Sequence, residues 1–210
     1  GRVALLADGA LAGEVALAPD ARHDRDLFPA LERCLADAGL RATGLACVGV
    51  GKGPGSYTGT RIGLMAAKAL AFGADVPLVG VSSLAALAWD ARETAAFVVP
   101  VQQARRDEVY AAVYGRAPDD AQSPGSAVPN GPAWHAVVPD RACTPEEAAA
   151  LARGPEYSLV GAALSRYAEA FASRAAAGIP LVPDRTAPRA ASLGCLRSEE
   201  HTSELQSLLI

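Results

Sequence analysis

Apolar residues along this chain follow two spacings, and together they predict an α/β protein. Short apolar runs are typical of strands. Two such runs flank Asp8-Gly9, a dipeptide that favours a hairpin turn. A second hairpin is predicted over Ala95–Gly115. Single strands are predicted in "LACVGVG", "VPLVGV", "YSLVG" and "PLVPD".

Longer segments repeat apolar residues at helical spacing. "DLFPALERCLADAGL" predicts a helix that stops near Gly39, and a second helix is predicted over roughly Thr60–Phe72. Ser82-Ser83 precede another helical segment as cap candidates. In "CTPEEAAALA", Thr144 and Glu147 have the spacing of a capping box. Further helices are expected after Gly161 and near residue 196.

The order of elements repeats, which predicts two similar α/β lobes. Each half contains a hairpin, a helix, a strand, a glycine turn and a helix. Strands that alternate with helices favour mixed sheets covered on both faces. We place the first lobe at residues 1–94 and the second at 95–196. Two facing lobes commonly hold a ligand between them.

Both termini differ from what a complete reading frame would show. The chain begins inside an apolar run without an initiator Met, and Arg197–Ile210 contains no Ala, Gly or Pro. We therefore expect a truncated chain followed by a non-native tail at 197–210, which is excluded from fold reasoning. The alternative is an ordinary polar C-terminal helix.

Composition excludes several classes of protein. A net charge of −4 and a pI near 5.4 give no general support for direct nucleic-acid binding. The four cysteines lack C-x-x-C spacing and nearby histidines, so no metal site is predicted. No run approaches the ~18 apolar residues of a membrane span, and we expect a cytoplasmic protein.

A glycine-rich stretch, "GVGKGPGSYTGTRIGLMAAKAL", precedes the second helix. It fails the P-loop, the dinucleotide fingerprint and the nucleophile elbow, whose central serine is replaced by Tyr57. Free N–H groups at the helix start attract anions, so the stretch is a candidate anion or nucleotide contact. The alternative is that Ser56 or Thr58 caps the helix and Arg61 faces solvent. The candidate residues are Gly53, Pro54, Gly55, Ser56, Tyr57, Thr58, Gly59 and Arg61.

The same stretch carries a family resemblance. G-x-G-P-G-S-[FY]-T-G-x-R-I-G is followed by the segment V-G-V-S-S-L-x-A-[LM]-A, and residues 3–196 resemble the TsaB (YeaZ) family of tRNA threonylcarbamoyladenosine biosynthesis proteins. "HDRDLFPAL" and "ARRDEVYAAVY" are also similar to family segments. The family's opening I-L-A-I-D-T strand is lacking, and Gln103 replaces its usual Asp.

The resemblance implies a two-lobed actin/hexokinase-like (ASKHA, ribonuclease H-like) fold. It implies a non-catalytic scaffold in the complex that forms N6-threonylcarbamoyladenosine at position 37 of tRNAs reading ANN codons. The implied partners are a TsaD-type catalytic subunit, a TsaE-type ATPase and a second copy of the chain, with tRNA reached only through the complex. No cofactor is expected on this chain, and the assembled complex would use ATP/ADP and Mg.

A partner surface is expected on two helices, since the second is apolar nearly all round. Other classes are a stand-alone small-molecule kinase of the same fold and a peptidase M22-like hydrolase. A kinase needs acidic residues that act on phosphate and magnesium, and a peptidase needs a metal or a nucleophile. No catalytic residue is assigned for either class. The predicted interface residues are Leu27, Leu31, Ile62, Met65, Ala66 and Ala69.

Overall fold

The computed structural model describes residues 1–7, 10–17, 23–116, 134–184 and 207–209. The chain divides into two compact units, Gly1–Ser82 with Arg189–Ile210, and Ser83–Pro188. The predicted boundary at 94/95 is therefore later than the observed division. The Asp8-Gly9 turn, the loop after residue 116 and the predicted last helix lie outside the described residues.

The first unit contains a five-stranded sheet in the order β2-β1-β10-β3-β4. β1 is antiparallel to β2 and β10, whereas β10, β3 and β4 are parallel. β10 belongs to the tail that was excluded from the fold prediction, so that exclusion was wrong for three residues. The strands are β1 Arg2–Ala7, β2 Ala10–Ala16, β3 Cys47–Gly51, β4 Leu78–Val81 and β10 Ser207–Leu209.

Two helices cover one face of this sheet: α1, His23–Asp37, and α2, Tyr57–Ala74. α1 is followed by Gly39 at φ +67°, as predicted, and α2 begins earlier than predicted, at Tyr57. A short 3-10 turn, Ala42–Gly44, precedes β3. The core between sheet and helices is made by Val3, Leu5, Leu27, Ala30, Leu31, Cys34, Leu35, Leu45, Val48, Val50, Ala66, Ala67 and Ala71.

The second unit contains another five-stranded sheet, in the order β7-β6-β5-β8-β9. β7, β6 and β5 are antiparallel neighbours, and β5, β8 and β9 are parallel. β7 was not predicted. The strands of this second sheet are β5 Phe97–Gln103, β6 Val109–Arg116, β7 Trp134–Cys143, β8 Tyr157–Val160 and β9 Leu181–Val182.

The helices of the second unit explain where the units divide. α3, Ser83–Asp90, buries Leu84 and Leu87 and packs on β5 and β6, so it belongs to the second sheet rather than the first. The predicted capping box of Thr144 and Glu147 is present at the start of α4. The remaining helices are α4 Pro145–Leu151, α5 Ala163–Arg166 and α6 Ala168–Ala176.

The two sheets share the same arrangement of parallel and antiparallel neighbours, which confirms that the two lobes are similar but changes which elements correspond. The central strands β10 and β5 each have one antiparallel and one parallel neighbour. The first hairpin, β1–β2, therefore corresponds to β6–β7. The sequence had matched hairpin β1–β2 to hairpin β5–β6. That match was wrong, because the strand equivalent to β5 is β10, at the other end of the chain.

The raised pKa of the buried Cys34 thiol predicts how the stability of the first unit depends on pH. Burial first, and the nearby Asp37 charge second, raise the pKa of this thiol above its usual 9.0. The unfolded thiol therefore loses its proton at a lower pH than the folded one, so stability falls as pH rises above 9.0. Urea unfolding followed by circular dichroism should show a shallower decline for Cys34→Ala; an equal decline would contradict this.

Candidate functional site

The glycine loop, residues 52–59, joins the carboxyl end of β3 to α2. Gly53 is buried and has φ +91°, a conformation that side chains with a Cβ rarely adopt. The Gly53–Pro54 peptide bond is cis. Added Cβ atoms at Gly53 and Gly55 would meet only ordinary contacts of 3.6–3.9 Å. The positive φ therefore explains why glycine is favoured at position 53. Steric crowding does not explain the need for glycine at position 53 or at position 55.

Ser56 is the N-cap of α2. Its Oγ accepts a hydrogen bond from the Gly59 N–H at 3.3 Å, and its carbonyl accepts from the Thr60 N–H at 2.8 Å. This is the capping alternative left open by the sequence, and it satisfies one of the free N–H groups that would otherwise attract an anion.

Arg61 is held on the helix surface by Tyr57. Its Nη1 donates to Tyr57 Oη at 3.0 Å, and its guanidinium carbon lies 5.2 Å from the centre of the Tyr57 ring. Both side chains are exposed. The structure thus brings the two residues together one helical turn apart, with the guanidinium partly occupied by the phenol.

Replacing Ser56 by alanine tests the role of the cap. We expect Ser56→Ala to destabilise the first unit by about 1 kcal/mol, because a capping bond is lost. Thr58→Ala is the matched control, since Thr58 is exposed in the first turn of α2, and it should change stability by no more than about 0.5 kcal/mol. Urea unfolding measured by circular dichroism checks both; equal effects would show that Ser56 is not the cap.

The titratable side chains elsewhere in the described residues are the other candidates for a chemical site. Across those residues, no group of three or more His, Cys, Asp or Glu side chains could hold a metal ion. Cys34, Cys47 and Cys143 are buried and take part in no disulfide bond. Burial also raises the pKa of the Cys143 thiol, so this thiol stays protonated at neutral pH. None of the helices within the described ranges is long and apolar enough to cross a membrane.

Three of the six predicted interface residues lie in the core of the first unit. Leu27, Leu31 and Ala66 are only 3–4% exposed, so they have almost no surface to offer a partner. Ile62 is half-buried and packs against the same core. Met65, at 64%, and Ala69 are exposed. Burial therefore contradicts Leu27, Leu31 and Ala66 as surface residues, and an interface role for the exposed Met65 and Ala69 of α2 stays a prediction.

The structure adds an exposed residue that the sequence analysis missed. Phe72 is 91% exposed, and with Tyr57, Arg61, Met65 and Ala69 it forms a line along one face of α2, here called the α2 stripe. The spacing of three or four residues places them on one face. Phe72 lies seven residues after Met65, so continuing the helical period would have found it.

A shallow depression adjoins the C-terminal end of the α2 stripe. Its volume is about 550 Å³, and charged groups of both signs, Lys68 and Asp75, lie at its rim. The other lining residues are Ala71, Phe72, Val76, Pro77 and Leu78. An exposed aromatic ring beside an apolar hollow is typical of a surface that binds another protein.

Comparisons with known proteins agree on one family. The family model "TsaD: tRNA N6-adenosine threonylcarbamoyltransferase" matches residues 16–194. The tRNA threonylcarbamoyladenosine biosynthesis protein TsaB of Bacillus subtilis is 38% identical over 53% of this chain and 49% of its own length. TsaB of Haemophilus influenzae is 32% identical over 70% of this chain and 61% of its own length. The chain thus spans about half to three-fifths of these relatives.

A solved structure supports the fold. YeaZ from Pseudomonas aeruginosa superposes with a TM-score of 0.70 over 93% of this chain and 86% of that chain, at 24% identity. The mixed α/β units and the family match fit the actin-like (ASKHA) fold that the sequence resemblance implied. With the family model matching most of its length, the chain belongs to the TsaD family.

Proposed function

We propose that this chain is a non-catalytic accessory subunit in the formation of N6-threonylcarbamoyladenosine in tRNA. The proposal rests on its family and on relatives named for that biosynthesis. The proposed partner is a TsaD-type catalytic subunit, and a TsaE-type ATPase would join the assembly. ATP and Mg would be used by the assembled complex, and tRNA would be bound through it.

The observation that carries this proposal is the α2 stripe. Phe72 and Met65 expose large apolar side chains on a helix whose opposite face is packed in the core. Burying an exposed phenylalanine side chain contributes roughly 2 kcal/mol, so a partner that covers the stripe would gain substantially. Ala69, a small residue within the stripe, allows another helix to approach closely.

The glycine loop fits this role as the segment that positions α2. Ser56 caps the N-terminus of α2, and Gly53 lies in the turn that joins β3 to α2. An anion contact at residues 53–59 with Arg61 is a secondary proposal, because Arg61 already bonds Tyr57. Titration with ATP or inorganic phosphate, observed in the amide signals of Gly55 and Gly59, would test that contact; unchanged signals at millimolar anion would reject it.

Co-elution with a TsaD-type subunit tests the proposed pairing. The full chain and a TsaD-type subunit from the same source should elute together in size-exclusion chromatography, with a mass by light scattering equal to their sum. The same mixture should be measured with the α2 stripe altered by Phe72→Glu. Separate elution of two folded proteins at micromolar concentrations would contradict the proposal.

A further inference from the structure

Met65 lies in the middle of the α2 stripe and is the single methionine of the sequence. It is 64% exposed, with Arg61 one helical turn before it and Ala69 one turn after it. The next two residues, Ala66 and Ala67, are buried in the core beneath α2. The Met65 side chain therefore lies on the exposed face of the helix, where a small dissolved molecule can reach the sulfur.

The neighbouring side chains of the stripe do not cover the thioether. The Arg61 guanidinium is held by Tyr57, through the hydrogen bond to its hydroxyl and the contact with its ring. Ala69 has only a methyl side chain, which is too short to shield a sulfur one turn away. Phe72 lies seven residues after Met65, or about 10 Å along the helix axis. The sulfur is therefore open to solvent along the stripe.

The sulfur atoms of the described cysteines are shielded. Cys34, Cys47 and Cys143 are 2%, 0% and 8% exposed. Burial raises the pKa of the Cys34 and Cys143 thiols, so both stay protonated at neutral pH, and a protonated thiol reacts slowly with an oxidant. A thioether has no proton to lose before it reacts. Among the described residues, Met65 therefore carries the sulfur that a dissolved oxidant reaches most easily.

A peroxide oxidises a thioether by transfer of one oxygen atom. The O–O bond of hydrogen peroxide breaks, an S–O bond forms on Met65 Sδ, and the rest of the peroxide leaves as water. The sulfur loses two electrons and the peroxide gains them, so the reaction needs no further reactant. The product is a sulfoxide, which is polar where the thioether was apolar, and methionine sulfoxide reductases reverse the change.

The sulfoxide would act on pairing rather than on folding. In the free chain its oxygen stays in water, because Met65 is exposed and is not part of the core of the first unit. A partner that covers the α2 stripe would have to displace that water. The apolar part of the stripe, Ala69 and Phe72, offers the oxygen no side-chain donor, and a buried acceptor without a donor is unfavourable.

We propose that Met65 is a reversible oxidation site that controls pairing through the α2 stripe: the thioether permits the partner to bind, and the sulfoxide opposes binding. This inference rests on the proposed function, since the partner in question is the TsaD-type subunit. The oxidant is a small peroxide, and it acts on the unpaired chain because a bound partner covers Met65. Oxidation withdraws free subunits from assembly, and reduction returns them.

The test compares the full chain before and after treatment with hydrogen peroxide. Peptide mass spectrometry should place one added oxygen atom on Met65, and urea unfolding followed by circular dichroism should be unchanged. Isothermal titration should show that oxidation weakens binding to a TsaD-type subunit about tenfold. The two methionine sulfoxide reductases, one for each sulfoxide epimer, should together restore the original affinity.

Met65→Leu is the matched control, because leucine keeps a large apolar side chain and lacks sulfur. Whatever affinity this variant has for the TsaD-type subunit, peroxide should not change it. A second measurement follows the rate at which Met65 gains oxygen. That rate should be lower in a mixture with the TsaD-type subunit than in the chain alone, because the partner covers the side chain.

The outcomes separate this inference from the proposed function. If the untreated chain does not bind the TsaD-type subunit, both are overturned. If the untreated chain binds and peroxide leaves its affinity unchanged while Met65 is oxidised, the oxidation site alone is overturned. An equal loss of affinity in Met65→Leu would assign the effect to another residue, and oxidation of Met65 at the same rate with and without the partner would show that the partner does not cover it; either result also overturns the inference.

Discussion

Gly161→Ala should destabilise the second unit by more than about 3 kcal/mol, enough to unfold much of it. Gly161 follows β8 with φ +131°, a conformation almost confined to glycine. An added Cβ would also overlap the backbone carbonyl oxygen of Val101, in the neighbouring strand β5. Backbone of a central strand cannot move aside without breaking its pairing with β6 and β8.

Gly178→Ala separates the cost of the positive φ from the cost of the steric overlap with Val101. Gly178 also has a positive φ, +77°, but nothing lies within 4 Å of its added Cβ, so only the conformational cost of about 1–2 kcal/mol should be seen. Both tryptophans, Trp89 and Trp134, belong to the second unit, so urea unfolding monitored by their fluorescence reports this unit alone. Equal destabilisation by the two variants would show that the contact with Val101 is unimportant.

Phe72→Glu should weaken pairing with a TsaD-type subunit by about thirtyfold, or ~2 kcal/mol, without loss of stability. The side chain is 91% exposed, so the fold loses little when it is replaced. A partner that covers the α2 stripe would instead have to bury an unpaired carboxylate. Isothermal titration of the folded variant with the TsaD-type subunit measures the change.

Two further variants make this result specific. Val137→Glu introduces the same charge at a residue that is 46% exposed on β7 of the second unit, and it should pair normally. Ala66→Glu places a carboxylate at a position 4% exposed in the core of the first unit, so it should unfold that unit rather than act on the interface. Normal affinity of Phe72→Glu for the TsaD-type subunit would show that the α2 stripe does not contact that partner.

Local patterns predicted most elements of both units. The antiparallel pairing of β1 with β2, the capping box at Thr144 and the glycine after β8 are short-range features, encoded by residues close together in the sequence. β7 was missed because only its first and last residues, Trp134 and Cys143, are buried, so it lacks the alternating apolar pattern of a strand. The pairing of β10 with β1 and β3 depends on residues about 160–200 positions apart, which no local pattern encodes.

The site was harder to predict than the fold. The Ser56 cap follows from residue type and position, and the structure confirms that alternative. An apolar residue on a helix predicts burial but does not say whether the chain's own core or another protein covers it. Leu27, Leu31 and Ala66 face the core, whereas Phe72 on the same α2 helix as Ala66 is exposed. Only the orientation of α2 on its sheet distinguishes the two cases.

Formation of N6-threonylcarbamoyladenosine by purified components tests the central proposal most directly. The full chain, a TsaD-type subunit, a TsaE-type ATPase, tRNA, ATP, Mg and the threonylcarbamoyl donor would be combined, and the modified nucleoside quantified by mass spectrometry. We expect product in the complete mixture, a large loss of product when the chain is omitted, and none from the chain with tRNA and donor alone. Product formed equally well without the chain, or by the chain alone, would contradict it.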